Sequence, residues 1–132
     1  MSPLIVVAAL VEREGHFLVA NRPPDSWMEG FWEFPGGKVE EGEEPRTALA
    51  RELSEELDIN VQVRDIEEVL FHCYPDKDVL LLFYWCEISS GEPVPQIDQE
   101  VRWVTPDEMK DLPFLPADEP LIDRLVDRSG QP

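Results

Sequence analysis

Hydrophobic and polar positions change their period several times along the chain, and each change marks an element. Leu4 to Val11 is an apolar, β-rich run that predicts a central strand. Glu14-Gly15 forms a turn, and His16 to Ala20 returns as the second arm of a hairpin. Arg22-Pro23-Pro24-Asp25 breaks the pattern, and a loop runs on to Gly30. Phe31 to Phe34 is short and extended, because Pro35 biases Phe34 away from helix. Gly36-Gly37 predicts a tight turn, and Lys38 to Gly42 a short strand and loop. The period then becomes helical. Pro45 suits a first helical turn, Glu43 and Glu44 sit at its positive end, and Leu49, Leu53 and Leu57 make one apolar stripe. Val61 to Val63, Val69 to Tyr74 and Val79 to Ile88 read as strands, the last two joined by a turn over Pro75 to Asp78. Ser89 to Gln96 is a loop, Val101 to Val104 a final strand, and Thr105 caps a short helix beginning at Pro106. After a loop over Pro113 to Pro116, a last helix runs from about Asp118 to near Asp127. Strands and few helices in irregular alternation predict an α/β (α+β) sandwich on a mixed sheet, not a doubly wound one.

Length and composition narrow this picture. A chain of 132 residues fits one domain, 1–132, and 42% hydrophobic residues suffice for a core. The longest apolar stretches, Val79 to Cys86 and the equally long Leu4 to Val11, are too short to span a bilayer. The start lacks a basic n-region and soon meets Glu12 and Arg13, so it reads as strand and not as signal peptide. Cys73 and Cys86 both lie in apolar, strand-like runs and read as buried, reduced thiols of a cytoplasmic protein. The net charge of −18 repels DNA, RNA and anionic membranes. It also repels a free triphosphate, so a phosphate substrate needs a divalent metal to bridge it to the protein.

A carboxylate cluster of the required kind is present. Glu40 to Asp58 holds eight acids and only two basic residues, Arg46 and Arg51. Glu52, Glu55 and Glu56 stand at i, i+3 and i+4, next to the leucine stripe, with no lysine between them. Like charges at this spacing cost the helix a few tenths of a kcal/mol per pair, roughly. Three carboxylates around an open space suit hard Mg²⁺, which takes oxygen ligands and keeps positions for water and phosphate. Taken alone, the trio equally suits a solvated acidic face. The preceding Phe34-Pro35-Gly36-Gly37-Lys38 shifts the balance, since Gly-Gly lets backbone come close to another group and Lys38 adds a cation.

The stretch from Gly37 through Glu43 and on to Arg51-Glu52-Leu53-Ser54-Glu55-Glu56-Leu57-Asp58-Ile59 resembles the Nudix box, G-x5-E-x7-R-E-U-x-E-E-x-G-U. Every defined position matches except Asp58, which stands where the family has Gly. That Gly ends the helix in a left-handed conformation, and Asp tolerates it better than most residues. The flanks Gly30 to Lys38 and Leu115 to Leu121 are similar to the MutT branch. The resemblance implies a Nudix-type α/β/α sandwich and Mg²⁺- or Mn²⁺-dependent hydrolysis of a nucleoside triphosphate to monophosphate and pyrophosphate. Glu52, Glu55 and Glu56 match metal ligands, with Glu52 or Glu55 able to help deprotonate the attacking water. Gly37 matches a metal-binding carbonyl, Arg51 a residue that orients the acids with support from Glu43, and Lys38 a lysine that stabilises phosphate charge. The family often adds a further carboxylate before the last strand. Ile97 aligns there, so Glu100 nearby is either that ligand or a solvated acid.

For the substrate, the resemblance places Arg22 on phosphate and Phe34 against the base or in the core. It places Lys77 near the substrate or in solvent. Asp118 falls where MutT-like enzymes read the base edge, although an N-cap for the last helix explains it as well. An ionised Asp accepts hydrogen bonds only, which fits 8-oxo-dGTP first and leaves CTP or a modified dCTP as the rival. A nucleotide-sensing Nudix module without turnover is the reading of another class, and the intact Arg51, Glu52, Glu55 and Glu56 speak against it. His16 and His72 provide no zinc site and no catalytic triad.

Overall fold

The computed structural model describes residues 2–130; Met1, Gln131 and Pro132 of the 1–132 unit lie outside the described residues. In chain order the elements are β1 (Leu4–Leu10), β2 (Glu12–Arg13), β3 (His16–Asn21), β4 (Trp32–Glu33), β5 (Gly36–Lys38) and α1 (Pro45–Leu57). There follow β6 (Asn60–Tyr74), β7 (Lys77–Ser90), β8 (Val101–Val104), α2 (Pro106–Met109), a 3₁₀ turn (Pro116–Asp118) and α3 (Glu119–Ser129).

The larger sheet is mixed, as the irregular alternation of elements predicts. Its order is β5-β1-β7-β6, with β1 parallel to β7 and the other pairs antiparallel. A smaller sheet joins β2, β3 and β4, and β8 pairs with β3. Strand β1 explains the layering. Val7, Ala9 and Val11 pack with Leu49, Leu53 and Leu57 of α1, whereas Ala8 and Leu10 pack with Leu121, Ile122 and Leu125 of α3. Side chains alternate across a strand, so an uninterrupted apolar run is what a strand between two helical layers requires. The result is the expected α/β/α sandwich.

Three local expectations need correction. Gly36-Gly37 is not a tight turn but part of β5, paired antiparallel with Ala8 and Val7. A Cβ on Gly36 would stand 1.9 Å from the Val7 carbonyl oxygen, so glycine serves close approach there, not left-handed backbone. Residues 64–68, expected to separate two strands, belong to one continuous β6 with register shifts between Val63 and Ile66 and between Ile66 and Glu68. Their charges hid the strand, and three of the four are paired: Arg64 with Glu87, Glu67 with Arg124 and Arg128 of α3, and Glu68 with Arg124. Cys86 is buried as expected, but Cys73 is exposed, because β6 is an edge strand of the sheet. Among the described residues no helix is long and apolar enough to cross a membrane.

Candidate active site

Helix α1 presents the acids. The Glu44 side chain caps it by accepting from the Thr47 N–H, and Pro45 opens it. Asp58 ends it at φ 56° and ψ 40°, the left-handed conformation anticipated from its place in the box, with its N–H donating to the Ser54 carbonyl. The N–H groups of Val94 and Gln96 then donate to the Leu57 and Glu56 carbonyls, so the end of the helix is tied to the following loop.

Arg51 is the hub of this face. Its Nε donates to Glu43 Oε2 at 2.7 Å and its Nη2 to Glu43 Oε1 at 3.0 Å. Its Nη1 donates to Glu52 at 3.0 Å and to Glu55 at 3.3 Å, and Glu40 stands 3.9 Å from Nη2. The Arg51 guanidinium holds the Glu43 carboxyl below its ordinary range, and these acids in turn keep Arg51 protonated.

The three acids expected around one space divide into two sets. Glu55 is largely exposed and lies on Arg51, whose Nη1 draws it to the same side as Glu52. Glu56 is not among the Arg51 partners and shares a hydrogen bond with Glu52 instead. Burial, then the charge of Glu52, pushes the Glu56 carboxyl up to about 8, with Glu33 adding to the effect. Among the described residues no group of three or more acid, His or Cys side chains encloses a metal as it stands. Glu100 does not join: its carboxylate accepts from Arg102 Nε at 2.6 Å, and it lines no part of the cleft below.

Gly37 connects these acids to a cleft. A Cβ there would lie 2.4 Å from Glu52 Cδ, so only glycine lets that carboxylate rest against the β5 backbone. Along β5 opens a cleft of ≈ 120 Å³, with Arg22, Lys38 and Lys77 as its cations and Phe34 and Asp118 in its walls. Arg22 donates from Nη1 to Glu33 at 3.1 Å and from Nε to the Trp27 carbonyl at 2.6 Å. Phe34 is buried and meets Phe83 edge-on, so it is a core residue with one edge in the cleft. Lys77, expected in a turn, is the first residue of β7, and its Nζ sits 3.6 Å from the centre of the Trp27 ring.

Asp118 is the one charged or polar residue among the buried ones of the described residues. It occupies the N-cap position of α3 yet makes no capping bond, and its carboxyl accepts from the Phe34 N–H. Burial foremost, and then the Glu33 charge, pushes its pKa well above the usual carboxylate range. Burial therefore disfavours the ionised, acceptor-only form expected of Asp118. Sequence reasoning missed Trp27, Glu33 and Tyr74, which complete the cleft. A tryptophan in a Pro- and Gly-rich loop was the available signal for the first, since such a ring is seldom left in solvent.

The donor set fits a hard divalent cation. All its side-chain donors are carboxylate oxygens, Glu52 and Glu56 lie close enough to share a proton, and the missing Cβ of Gly37 leaves backbone beside them.

Comparison with known proteins agrees with this geometry. A family model described as NUDIX domain matches residues 6–124. The chain is 38% identical over 128 residues to the CTP pyrophosphohydrolase of Escherichia coli (strain K12), covering 96% of this chain and 93% of that one. It is 34% identical over 126 residues to the 8-oxo-dGTP diphosphatase of the same strain, covering 95% and 98%. The crystal structure of a MutT protein from Methanosarcina mazei Go1 superimposes with a TM-score of 0.86 over 98% of each chain at 24% identity, a likeness of fold. A box matched from Gly37 to Ile59, an arginine hub gathering its acids and a family match over most of the chain lead to one conclusion: this chain belongs to the Nudix family and is a Nudix hydrolase.

Proposed function

We propose that this enzyme hydrolyses a nucleoside triphosphate, 8-oxo-dGTP foremost, to the monophosphate and pyrophosphate, using Mg²⁺ or Mn²⁺ in the cytoplasm. One observation carries the reading: a single cleft holds the buried, uncapped Asp118 and Phe34 in its walls and Lys38 and Gly37, backed by Glu52, along β5. Nudix hydrolases work with a divalent metal. Glu52, Glu56 and the Gly37 carbonyl would hold it, with Glu55 beside them, and when bound it supplies Lewis-acid stabilisation of phosphate charge and an activated water. Arg51 keeps Glu43, Glu52 and Glu55 oriented. A carboxylate oxygen of Glu55, the most open of the set, takes the proton from water. Lys38 offsets negative charge that builds on the phosphates, and Arg22 and Lys77 hold the remaining oxygens. Water oxygen bonds to the β-phosphorus as the bond from that phosphorus to the α–β bridging oxygen breaks, so the nucleoside leaves as its monophosphate.

Asp118 supports the choice of base. In this reading Asp118 keeps its proton, and a protonated carboxyl carries one donor and one acceptor, as an amide does. The O6 and N7–H edge of 8-oxoguanine complements that pair, whereas guanine presents acceptors at both O6 and N7. A second reading has a specific basis too: N3 and N4–H of cytosine complement the same carboxyl, and a 38% identical relative is named CTP pyrophosphohydrolase. A panel of 8-oxo-dGTP, dGTP, CTP and modified dCTP with Mg²⁺, resolved by chromatography, decides between them. We expect 8-oxo-dGTP to exceed dGTP in kcat/KM by more than ~10-fold, about one well-placed hydrogen bond. In ¹⁸O-water the label should enter pyrophosphate. Faster turnover of CTP hands the enzyme to the cytidine reading, and release of orthophosphate as first product overturns the proposed cleavage.

A further inference from the structure

Trp27 is held from three sides. Its carbonyl accepts from Arg22 Nε at 2.6 Å, its ring meets Tyr74 edge-on at 4.7 Å and 84°, and Lys77 Nζ lies 3.6 Å from its ring centre. Tyr74 is itself fixed, because its hydroxyl oxygen accepts from the Ala117 N–H beside Asp118. The loop that carries Trp27 has left-handed backbone at Asp25 (φ 62°) and Met28 (φ 56°), conformations that cost energy outside glycine and persist only where surroundings impose them. Lys77 differs from Arg22 in one respect. Arg22 has Glu33 as counter-ion, whereas among the described residues no carboxylate lies within ion-pair distance of Lys77. An ammonium that lines a cleft with only an aromatic face beneath it keeps its charge available to an anion.

We infer that Trp27 is a positioning residue for substrate: its indole face seats the Lys77 ammonium and so fixes where that charge meets the phosphates. The inference rests on the proposed function for the identity of the anion, and on the Trp27–Lys77–Tyr74 geometry for the rest. The ring acts through Lys77 and touches no reacting atom. Loss of the ring frees a four-carbon stem, and the cation then spends its time among many rotamers.

The test measures binding of inorganic tripolyphosphate with Mg²⁺ by calorimetry, alongside KM and kcat for the preferred triphosphate. The proteins compared are wild type, Trp27→Leu, Trp27→Phe, Lys77→Met and the Trp27→Leu/Lys77→Met double variant. Trp27→Leu and Lys77→Met should each weaken tripolyphosphate binding on the order of 10-fold, the range of a desolvated cation–π contact. The double variant should bind little worse than Lys77→Met alone, since Lys77 lies nearest the ring and the Arg22 guanidinium stands farther off, 5.8 Å from the ring centre. Trp27→Phe, which restores an aromatic face and preserves the loop, should recover most of the affinity. In turnover, KM should rise more than kcat falls. Independent, additive losses in the double variant, an unchanged Kd in Trp27→Leu, or no binding of tripolyphosphate by wild type would overturn the inference. Binding that follows the expected pattern in a protein that splits no triphosphate would instead sink the proposed function and leave Trp27 in its role.

Discussion

Asp118 is buried without a counter-ion and without an N-cap bond, so its protonation couples to folding. Its ordinary pKa is 3.8, and burial raises the folded value well above that. Between those two values the folded state holds a proton that the unfolded chain has lost. Stability contributed by this group is therefore greatest at low pH, falls as pH rises from about 3.8 through the folded pKa, and is flat above it. Asp118→Asn keeps the shape and removes the titration. The melting temperature of the variant should match wild type near pH 4 and exceed it increasingly as pH rises, levelling off above the folded pKa, as followed by calorimetry. Glu56 also has a raised pKa, but both proteins carry it, so it cancels in the difference, whereas Glu33 is coupled to Asp118 and shares in the same pH-dependent term. Parallel pH curves for the two proteins would show that Asp118 titrates as an ordinary surface acid, and the neutral-carboxyl account of base reading would fall with it.

Helix α1 shows what a local pattern encodes. Leu49, Leu53 and Leu57 are fully buried, and the stripe was legible because core packing repeats with the helix period. Asp58 was legible as the left-handed end, and it carries a test. Asp58→Gly removes the Cβ cost of that conformation, worth roughly 0.5–1 kcal/mol. The melting temperature should rise by about 2–6 °C, while Asp58→Ala should lower it; a drop with glycine would mean the Asp side chain itself holds the helix end. What the sequence hid was long-range. The cleft joins the loop at Trp27, strand β5, the β6–β7 turn and the residues before α3, and no periodicity relates those segments. The β5 glycines look like a turn until the Val7 carbonyl and the Glu52 carboxylate are seen to fill the places of their missing Cβ atoms. The split of Glu55 from Glu56 depends on where one arginine points, which spacing along the helix does not specify.

Across the whole molecule, 29 acids face 11 basic residues, and the net charge of −18 destabilises the compact state by self-repulsion. Any salt should relieve part of this by screening, so NaCl should raise the melting temperature gradually. A divalent cation held by Glu52 and Glu56, as we propose, would add a distinct contribution, because a ligand that binds only the folded state stabilises by RT ln(1 + [L]/Kd), about 2.7 kcal/mol at one hundred times Kd. The two effects separate at matched ionic strength. MgCl₂ should raise the melting temperature beyond NaCl, with the excess saturating as concentration increases. In Glu52→Gln/Glu56→Gln the excess should vanish while the NaCl response remains, since only two of the 29 acids are changed. The same variant should lose turnover with Mg²⁺ by at least ~10²-fold, the scale of one lost transition-state contact, and wild type should stop when EDTA exceeds the metal. Calorimetry reads the site without relying on activity. If the Mg²⁺ excess survives in the double variant, the ion is gathered diffusely by the acidic surface, and the site on α1 is not where this enzyme holds its metal.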